Sequence, residues 1–302
     1  MIGGTPMAID IADPGLTLAT RLGARAGRPD RRRLVRSWPL LIGGLLFAAI
    51  AALCLAAPLL TSYDPTYQDL LNQGATPLTA GHVLGTDAPY GRDVLSRILY
   101  GGRTDLLIAV GGTGVTIIVG TIIGLLAGYF GGLLDAILMR VVDIFFAFPF
   151  LVLVLAIVSM LGPSLLNIFI AIWAVGWVSY ARIVRGEVLV AKQQEYVLAA
   201  RALGYGHIRI MARHILPNVI AAALIFSMVD AVGNILLGAA LGYLGVGVPE
   251  PAPEWGSMIF DGQNYLVTWW WISTIPGVAI VAVGVALSLI GDGLADLLRP
   301  QG

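Results

Sequence analysis

Long uncharged runs of apolar residues recur along this 302-residue chain and alternate with shorter polar passages. A helix needs about 20 predominantly apolar residues to cross the hydrocarbon core of a bilayer. Six runs reach or approach that length, so we predict an all-α integral membrane protein with about six transmembrane helices. The predicted spans are 38–60, 106–130, 144–161, 165–181 (extending toward Arg185), 219–248 and 265–290.

One polar passage differs from the other connections in its own helical pattern. Residues 192–218 read KQQEYVLAARALGYGHIRIMARHILPN. The pattern predicts a helix that ends at Gly204, then a second helix, and then a span that begins at Pro217. The first helix is expected to share one face among Tyr196, Ala199, Ala200 and Leu203. The second is expected to set Ile208, Met211 and Ile215 opposite Arg209 and Arg213.

Two interpretations of residues 192–218 are open. The passage is either a docking surface for a protein in the aqueous phase or an amphipathic loop that lies on the membrane surface. Small alanine side chains permit close approach by a partner, and the arginines supply charge complementarity. The physical pattern therefore favours docking over the surface loop.

The basic residues indicate how the chain is oriented. Cytoplasmic flanks of membrane spans carry an excess of Lys and Arg. With the N-terminus inside, all of the 18 Lys and Arg residues except Arg92, Arg97 and Arg103 fall on the cytoplasmic side. We therefore expect both termini and residues 192–218 to be cytoplasmic, with residues 1–37 forming an Arg-rich tail.

The remaining connections and one span carry packing signals. Residues 61–104 form a long external connection, in which the apolar pattern after Asp93 predicts a short helix in the membrane interface that leads into the second span. The second span carries glycines one turn apart, which let helices approach closely in lipid. These glycines are Gly120, Gly124, Gly128 and Gly132.

Composition excludes several kinds of chemistry. Only 12% of the residues are charged and 58% are hydrophobic, which fits a lipid-embedded chain with no nucleic-acid partner. The single lysine, Lys192, precedes Gln193, so the Gly-Lys-Ser/Thr end of a phosphate-binding loop is missing. His207 and His214 would lie about 10.5 Å apart along a helix, too far to share one metal ion. We therefore predict a non-enzymatic chain that binds no cofactor or metal of its own.

Asp230 interrupts the fifth predicted span. It lies about 20 Å past Pro217 along a helix, and a carboxyl group at such depth normally faces the bundle interior or a water-filled cavity. It is either a group that lines a transport path and meets a cationic or amide-bearing substrate, or a packing residue hydrogen-bonded to Asn234. The sequence leaves both interpretations open.

Residues 192–218 resemble the cytoplasmic segment of ABC importer permeases, in particular the second permease of the dipeptide, oligopeptide and nickel type. That pattern reads Glu-Ala-Ala, three residues, Gly, nine residues, an apolar residue, any residue and Leu-Pro. The chain departs from it at Leu198, which replaces the Glu, and Glu195 one turn earlier is the candidate substitute. The matching residues are Ala199, Ala200, Gly204, Leu216 and Pro217, with His214 in a His-x-Leu-Pro form.

Three further stretches are similar to the same family, so the resemblance covers roughly residues 75–300. They are 84-LGTDAPYGRDVLSRILYGGR-103 before the second span, 241-LGYLGVGVPEPAPEWGSM-258 in the external connection, and 276-PGVAIVAVGVALSLIGDGLADLLRP-300 at the end of the chain.

The resemblance implies a type I ABC importer permease fold in the bacterial inner membrane. A five-helix core over residues 105–302, with a cytoplasmic coupling helix, would follow an extra N-terminal helix over 38–60. The implied docking residues for one or two cytoplasmic ATPase subunits, which would bind ATP and Mg²⁺, are Glu195, Ala199, Ala200, Gly204, Arg209, Arg213, His214, Leu216 and Pro217.

The resemblance also implies a second homologous permease and an external solute-binding protein. Candidate contacts for that binding protein are Glu250, Glu254, Trp255 and Asp261. Peptides are the expected solutes, with nickel chelates, glutathione and other small solutes as alternatives. The competing class is a channel or secondary carrier, which would transport without an ATPase.

Overall fold

The computed structural model describes residues 38–79 and 81–298. The predicted Arg-rich tail over 1–37 and the C-terminal Arg299 lie outside the described residues. Within those two ranges every regular element is helical, which confirms the all-α prediction. In chain order the helices are α1 (Trp38–Leu55), α2 (Ala57–Leu60), α3 (Val94–Phe130), α4 (Gly132–Phe146), α5 (Phe150–Leu161), α6 (Leu165–Ala191), α7 (Glu195–Ala202), α8 (His207–Ile210), α9 (Leu216–Tyr243), α10 (Trp255–Gly262) and α11 (Trp271–Leu298), with a π-helical turn at Met211–Ile215 and a 3₁₀ turn at Gln263–Tyr265.

The number of spans agrees with the apolar pattern. Within residues 38–79 and 81–298, five helices are long and apolar enough to cross a membrane: α1, α3, α6, the combined helix His207–Tyr243 and α11. The bent pair formed by α4 and α5 brings the count to six if it is taken as one span. The prediction of about six spans is therefore confirmed.

The third predicted span is not a single straight helix, so the prediction is wrong in this respect. The chain bends by 83° between Phe146 and Phe150, inside the predicted span 144–161. Pro149 lies in the break, has no N–H to continue the helical hydrogen bonds, and disfavours a helical conformation at Phe148. The 12 residues of α5 extend only about 18 Å.

The predicted interfacial helix is wrong as a separate element, because it forms the first turns of α3. Asp93 caps this helix by accepting a hydrogen bond from the backbone N–H of Ser96 at 2.7 Å. The polar residues that follow have partners that let the helix continue: Arg103 Nε donates to the carbonyl oxygen of Cys54 at 2.7 Å. Asp105 accepts a hydrogen bond from the backbone N–H of Trp255 at 3.1 Å.

Glycines on α3 allow it to pack closely against α6. A Cβ atom added at Gly124 would lie 2.5 Å from the carbonyl oxygen of Ala181, and one at Gly128 would lie 2.8 Å from Cβ of Val188. Gly120 meets the backbone of the same helix. The packing prediction is wrong for Gly132, which begins α4 and has open space where its Cβ would be.

Two groups of buried residues stabilise opposite ends of the bundle. One surrounds Trp255 and Trp271 and joins α3, α9, α10 and α11. The other includes Tyr180, Val188 and Ile215 and lies beneath α7. This second group is the base on which the polar segment between α6 and α9 rests.

Candidate functional site

The segment between α6 and α9 contains the predicted glycine stop. Helix α7 ends at Ala202, and Gly204 has the left-handed backbone angle φ +76°. The N–H of Gly204 donates to the carbonyl of Arg201 at 2.9 Å, and the N–H of Tyr205 donates to that of Ala200 at 3.1 Å. This pair of hydrogen bonds is the Schellman arrangement that ends a helix at glycine. The helix–glycine–helix prediction is confirmed.

Burial divides the predicted docking residues into a base and a surface. Ala200 is buried with Val197 against Ile210, Met211 and Ile215. The prediction that Ala200 offers a contact surface is therefore wrong in this conformation, because its side chain fastens α7 to the bundle. Ala199 is exposed, as expected for a docking residue.

Three branched apolar side chains of this segment are exposed. Leu198, Leu203 and Ile208 are 50%, 71% and 79% exposed. Ile208 was predicted to pack with Met211 and Ile215, but Ile210 takes its place on the buried side. The π-helical turn at Met211–Ile215 explains the error, because its wider spacing breaks the 3.6-residue period.

The same segment carries the polar docking candidates. Glu195, Arg209 and Arg213 are exposed. The Arg209 guanidinium lies 4.3 Å from the ring centroid of Tyr205, and His214 stacks on the same ring at 5.8 Å. The segment therefore presents apolar groups beside positive charge.

Helix α9 begins at Leu216, so Pro217 lies in the first turn of the fifth span, as predicted. Leu216 is half-buried and Pro217 exposed, within one helix that runs from His207 to Tyr243. Proline lacks the N–H that an α-helix needs, and the π-helical turn directly before Leu216 accommodates the lost hydrogen bond. The second half of the predicted docking segment and the fifth span are thus parts of one helix.

Asp230 lies at the centre of a hydrogen-bonded cluster of three helices. Its Oδ2 atom accepts from Thr113 Oγ1 at 3.1 Å, from Tyr180 OH at 3.0 Å and from Asn234 Nδ2 at 3.3 Å. The predicted pairing with Asn234 is confirmed. Sequence reasoning missed Thr113 and Tyr180, because they lie on α3 and α6 and nothing in the local pattern of α9 indicates them.

The same carboxylate lines a cavity of about 410 Å³ between α5, α6 and α9. A second cavity of about 800 Å³ reaches Pro217 and Asn218, and the two share Phe226 and Val229. Together the two cavities therefore extend along α9 from Pro217 to Asp230. The two sequence interpretations of Asp230 are compatible, since it is both hydrogen-bonded and at a cavity wall.

Two of the four external candidates are enclosed within the chain. Glu254 is fully buried, and its carboxylate caps α10 by accepting from the N–H groups of Gly256 at 2.6 Å and Ser257 at 2.8 Å. Burial raises the pKa of Glu254, although these N–H groups oppose the rise. Trp255 is buried and donates its indole N–H to the carbonyl of Ile98 at 3.0 Å. In this conformation neither side chain offers a contact to an external protein.

The other two external candidates, Glu250 and Asp261, lie next to Arg92. The side chain of Arg92 is buried. Arg92 Nη2 donates to Asp261 Oδ2 at 2.8 Å, and Arg92 also pairs with Asp87. Burial raises the pKa of Asp261, while the Arg92 charge opposes that rise. Glu250, 3.6 Å from Arg92 Nη1, is 48% exposed and stays a candidate surface contact.

A bundle of apolar helices with a polar helical segment between α6 and α9 and a cavity lined by Asp230 is the architecture of a multi-pass membrane transport subunit. Residues 120–301 match the family described as binding-protein-dependent transport system inner membrane component. Residues 31–77 match the N-terminal transmembrane domain of oligopeptide transport permease C. The chain belongs to this family of ABC importer permeases of the bacterial inner membrane.

Curated relatives are similar over most of their length. The di/tripeptide transport system permease protein DppC of Pseudomonas aeruginosa is 40% identical over 266 residues, which cover 86% of this chain and 88% of the relative. The probable D,D-dipeptide permease DdpC of Escherichia coli is 36% identical, with 89% and 90% covered. The glutathione permease GsiD of Pectobacterium atrosepticum is also 36% identical, with 89% of each covered.

A solved structure supports the fold. The inward-facing MetNI methionine ABC transporter contains a chain with a TM-score of 0.55 to this one at 17% sequence identity. The match covers 68% of this chain and 97% of that chain. The prediction of an ABC importer permease fold is confirmed.

Proposed function

We propose that this chain is one of two permease subunits of an ATP-driven importer for di- or oligopeptides. A homologous second permease completes the path, and an external solute-binding protein delivers the peptide. One or two cytoplasmic ATPase subunits bind ATP and Mg²⁺, while this chain holds no nucleotide, metal or catalytic group. Both termini and residues 192–218 face the cytoplasm.

The observation that carries this proposal is the exposed apolar surface of Leu198, Leu203 and Ile208 on a firmly packed base. Apolar side chains in an aqueous segment are typical of a protein interface. This segment is also continuous with the helix His207–Tyr243, which carries Asp230. Movement of a docked ATPase can therefore be transmitted to the transport path.

Energy for transport follows from differential binding. A partner that binds both conformations of the permease equally shifts neither population, so the ATPase must bind one conformation more tightly when ATP is present. Buried contacts between α7 and the bundle make the docking segment and the spans move together. This arrangement suits a lever driven from the cytoplasmic side.

The relatives support a peptide as the solute. Two of them are named for dipeptides or tripeptides and another for glutathione, itself a tripeptide. On this chain Asp230, Asn234 and Ser179 are polar side chains at the cavity that can hydrogen-bond a peptide. Glu250, which is 48% exposed, lies on the surface to which the binding protein would dock, and Asp261 lies partly buried beside it.

Replacing Leu203 and Ile208 together by Glu tests the docking surface. Each buried Leu or Ile side chain contributes about 1.5–3 kcal/mol, so the double variant should retain at least tenfold less ATPase subunit when purified from native membranes. Peptide uptake should fall in parallel, while insertion and yield stay unchanged.

The control for this experiment is Leu71→Glu. Leu71 is 96% exposed in the connection between α2 and α3, so the same chemical change is made away from the docking surface. This variant should behave as the unmodified chain. Full ATPase recovery and full uptake by the Leu203/Ile208 double variant would refute the proposed docking surface.

A further inference from the structure

We propose that Asp230 is the binding site for the α-ammonium group of a peptide as it passes through the membrane. The inference rests on the proposed function and names the chemical group that this part of the path recognises. Asp230 is half-buried in α9 and lines the cavity of about 410 Å³. Three features of its surroundings carry the inference: its hydrogen bonds, the apolar cavity, and its place on the route.

The hydrogen bonds of Asp230 leave one carboxylate oxygen for a ligand. Thr113, Tyr180 and Asn234 all donate to Oδ2. From the described residues Oδ1 receives no hydrogen bond within 3.5 Å. A carboxylate has about four acceptor positions, so a ligand with N–H groups can add to this cluster without displacing its members.

Three hydrogen-bond donors converge on the carboxylate of Asp230. Asn234 Nδ2 donates to Thr113 Oγ1 at 3.0 Å, which directs the single hydroxyl proton of Thr113 toward Asp230. Tyr180 is buried and packs edge-on against Phe226 with ring centroids 5.0 Å apart. Three donors thus hold the carboxylate in place, and a cation is the partner that best replaces the water such a carboxylate loses.

The rest of the cavity lining is mostly apolar, with Ser179 and Asn234 as the other polar side chains. Among the described residues that line the cavity, Asp230 is the one with an ionisable side chain. An ammonium group that enters leaves water and finds one charged partner there, whereas a carboxylate or phosphate finds repulsion. The other lining residues are Phe150, Leu151, Gly176, Ser179, Phe226, Val229, Gly233, Asn234, Leu236, Leu237 and Ala240.

The site is accessible along one face of α9. Val229 and Leu236 are 63% and 53% exposed, and a Cβ added at Gly233 would meet no atom within 4 Å. The larger cavity continues past Phe226 and Val229 to Asn218. A solute that moves along this face therefore passes directly beside Asp230, and Gly233 leaves the space that an ammonium group needs.

The test measures binding without the external binding protein, which has its own selectivity. The permease–ATPase complex in nanodiscs is titrated with Ala-Ala and with N-acetyl-Ala-Ala, and binding is followed by saturation-transfer NMR. Ala-Ala should bind the unmodified complex at least tenfold more tightly than the acetylated peptide. Asp230→Asn should abolish that preference, and Asp230→Glu should restore part of it.

Two further variants separate charge from structure. Asp143→Asn makes the same change at a carboxylate that is exposed on α4 and paired with Arg182, and should leave the preference intact. Gly233→Leu keeps the charge but fills the cavity, and should weaken Ala-Ala binding at least tenfold. If Asp230→Asn does not yield an intact complex, Gly233→Leu decides the matter.

The outcomes distinguish this inference from the proposed function. Equal binding of the two peptides, or Ala-Ala binding unchanged in both Asp230→Asn and Gly233→Leu, overturns the ammonium site even if ATP-driven uptake is intact. Asp230-dependent binding of Ala-Ala in a complex that shows no ATP-driven uptake upholds the site and overturns the transport mechanism.

Discussion

Gly204 is the residue at which the chain turns between α7 and α8, within the proposed docking segment. Its φ of +76° lies in the left-handed region, where a side chain costs about 1–2 kcal/mol and a β-branched residue is an outlier. Open space surrounds its Cβ position, so a substitution there would act through backbone strain rather than through a clash.

Gly204→Val should therefore distort the exit from α7 and separate ATP hydrolysis from uptake while leaving membrane insertion intact. The expected result is a several-fold fall in peptide transported per ATP hydrolysed in vesicles. Gly206→Val is the matched control, because Gly206 also has open space at Cβ but an ordinary φ of −66°. Equal transport-to-hydrolysis ratios in the two variants would argue against a role for this turn.

At the residue scale, the sequence indicates groups whose partners are near in the chain. Gly204 and the Asp230–Asn234 pair follow from helical spacing. Thr113 and Tyr180 do not, since they reach Asp230 from positions 117 and 50 residues away. Glu254 and Trp255 were predicted to contact a partner, but local caps and tertiary hydrogen bonds bury them instead.

Helices α3 and α6 pack closely through glycines, and each supplies a hydrogen-bond donor to Asp230. Their glycine contacts place Tyr180 within reach of Asp230 and so help to fix the hydrogen-bonded cluster. Lys192 also donates to the carbonyl oxygen of Gly128 at 2.8 Å, which joins the end of α3 to the start of the docking segment. The α3–α6 pair thus contacts both the Asp230 cluster and the start of the proposed docking segment.

Gly124→Val should force these two helices apart. Overpacking of this kind costs about 1–3 kcal/mol and should lower the thermal midpoint of the detergent-solubilised chain by roughly 3–10 °C. Gly114→Val serves as the control, since Gly114 lies on the same helix with no atom within 4 Å of its Cβ position. A midpoint for Gly124→Val that matches Gly114→Val would contradict the packing described.

At the element scale, apolar runs predict where the spans lie, but they predict poorly where a helix breaks or continues. A run longer than the bilayer core indicates a helix regardless of its neighbours. The bend at Pro149 was foreseeable from proline chemistry, whereas the continuity of α3 through Arg103 and Asp105 was not. Those two polar residues stay within a helix because α1 and α10 supply their hydrogen-bond partners.

At the scale of the whole molecule, one helix connects the proposed ATPase-binding surface to the cavity at Asp230. His207–Tyr243 begins at the proposed ATPase surface and carries Asp230 to the path cavity. Distribution of Lys and Arg sets the proposed orientation, with the docking segment in the cytoplasm. The apolar pattern does not predict the solute, because the proposed path is formed with a second chain and the solute is proposed to contact a few polar groups such as Asp230.

Peptide accumulation by reconstituted vesicles tests the central claim most directly. Vesicles contain this permease, its partner permease and the external binding protein, either with or without the ATPase subunits and ATP. The account predicts accumulation against a gradient only when both the ATPase and ATP are present, and its loss in the Leu203/Ile208 double variant. Accumulation at the full rate without the ATPase would contradict the account.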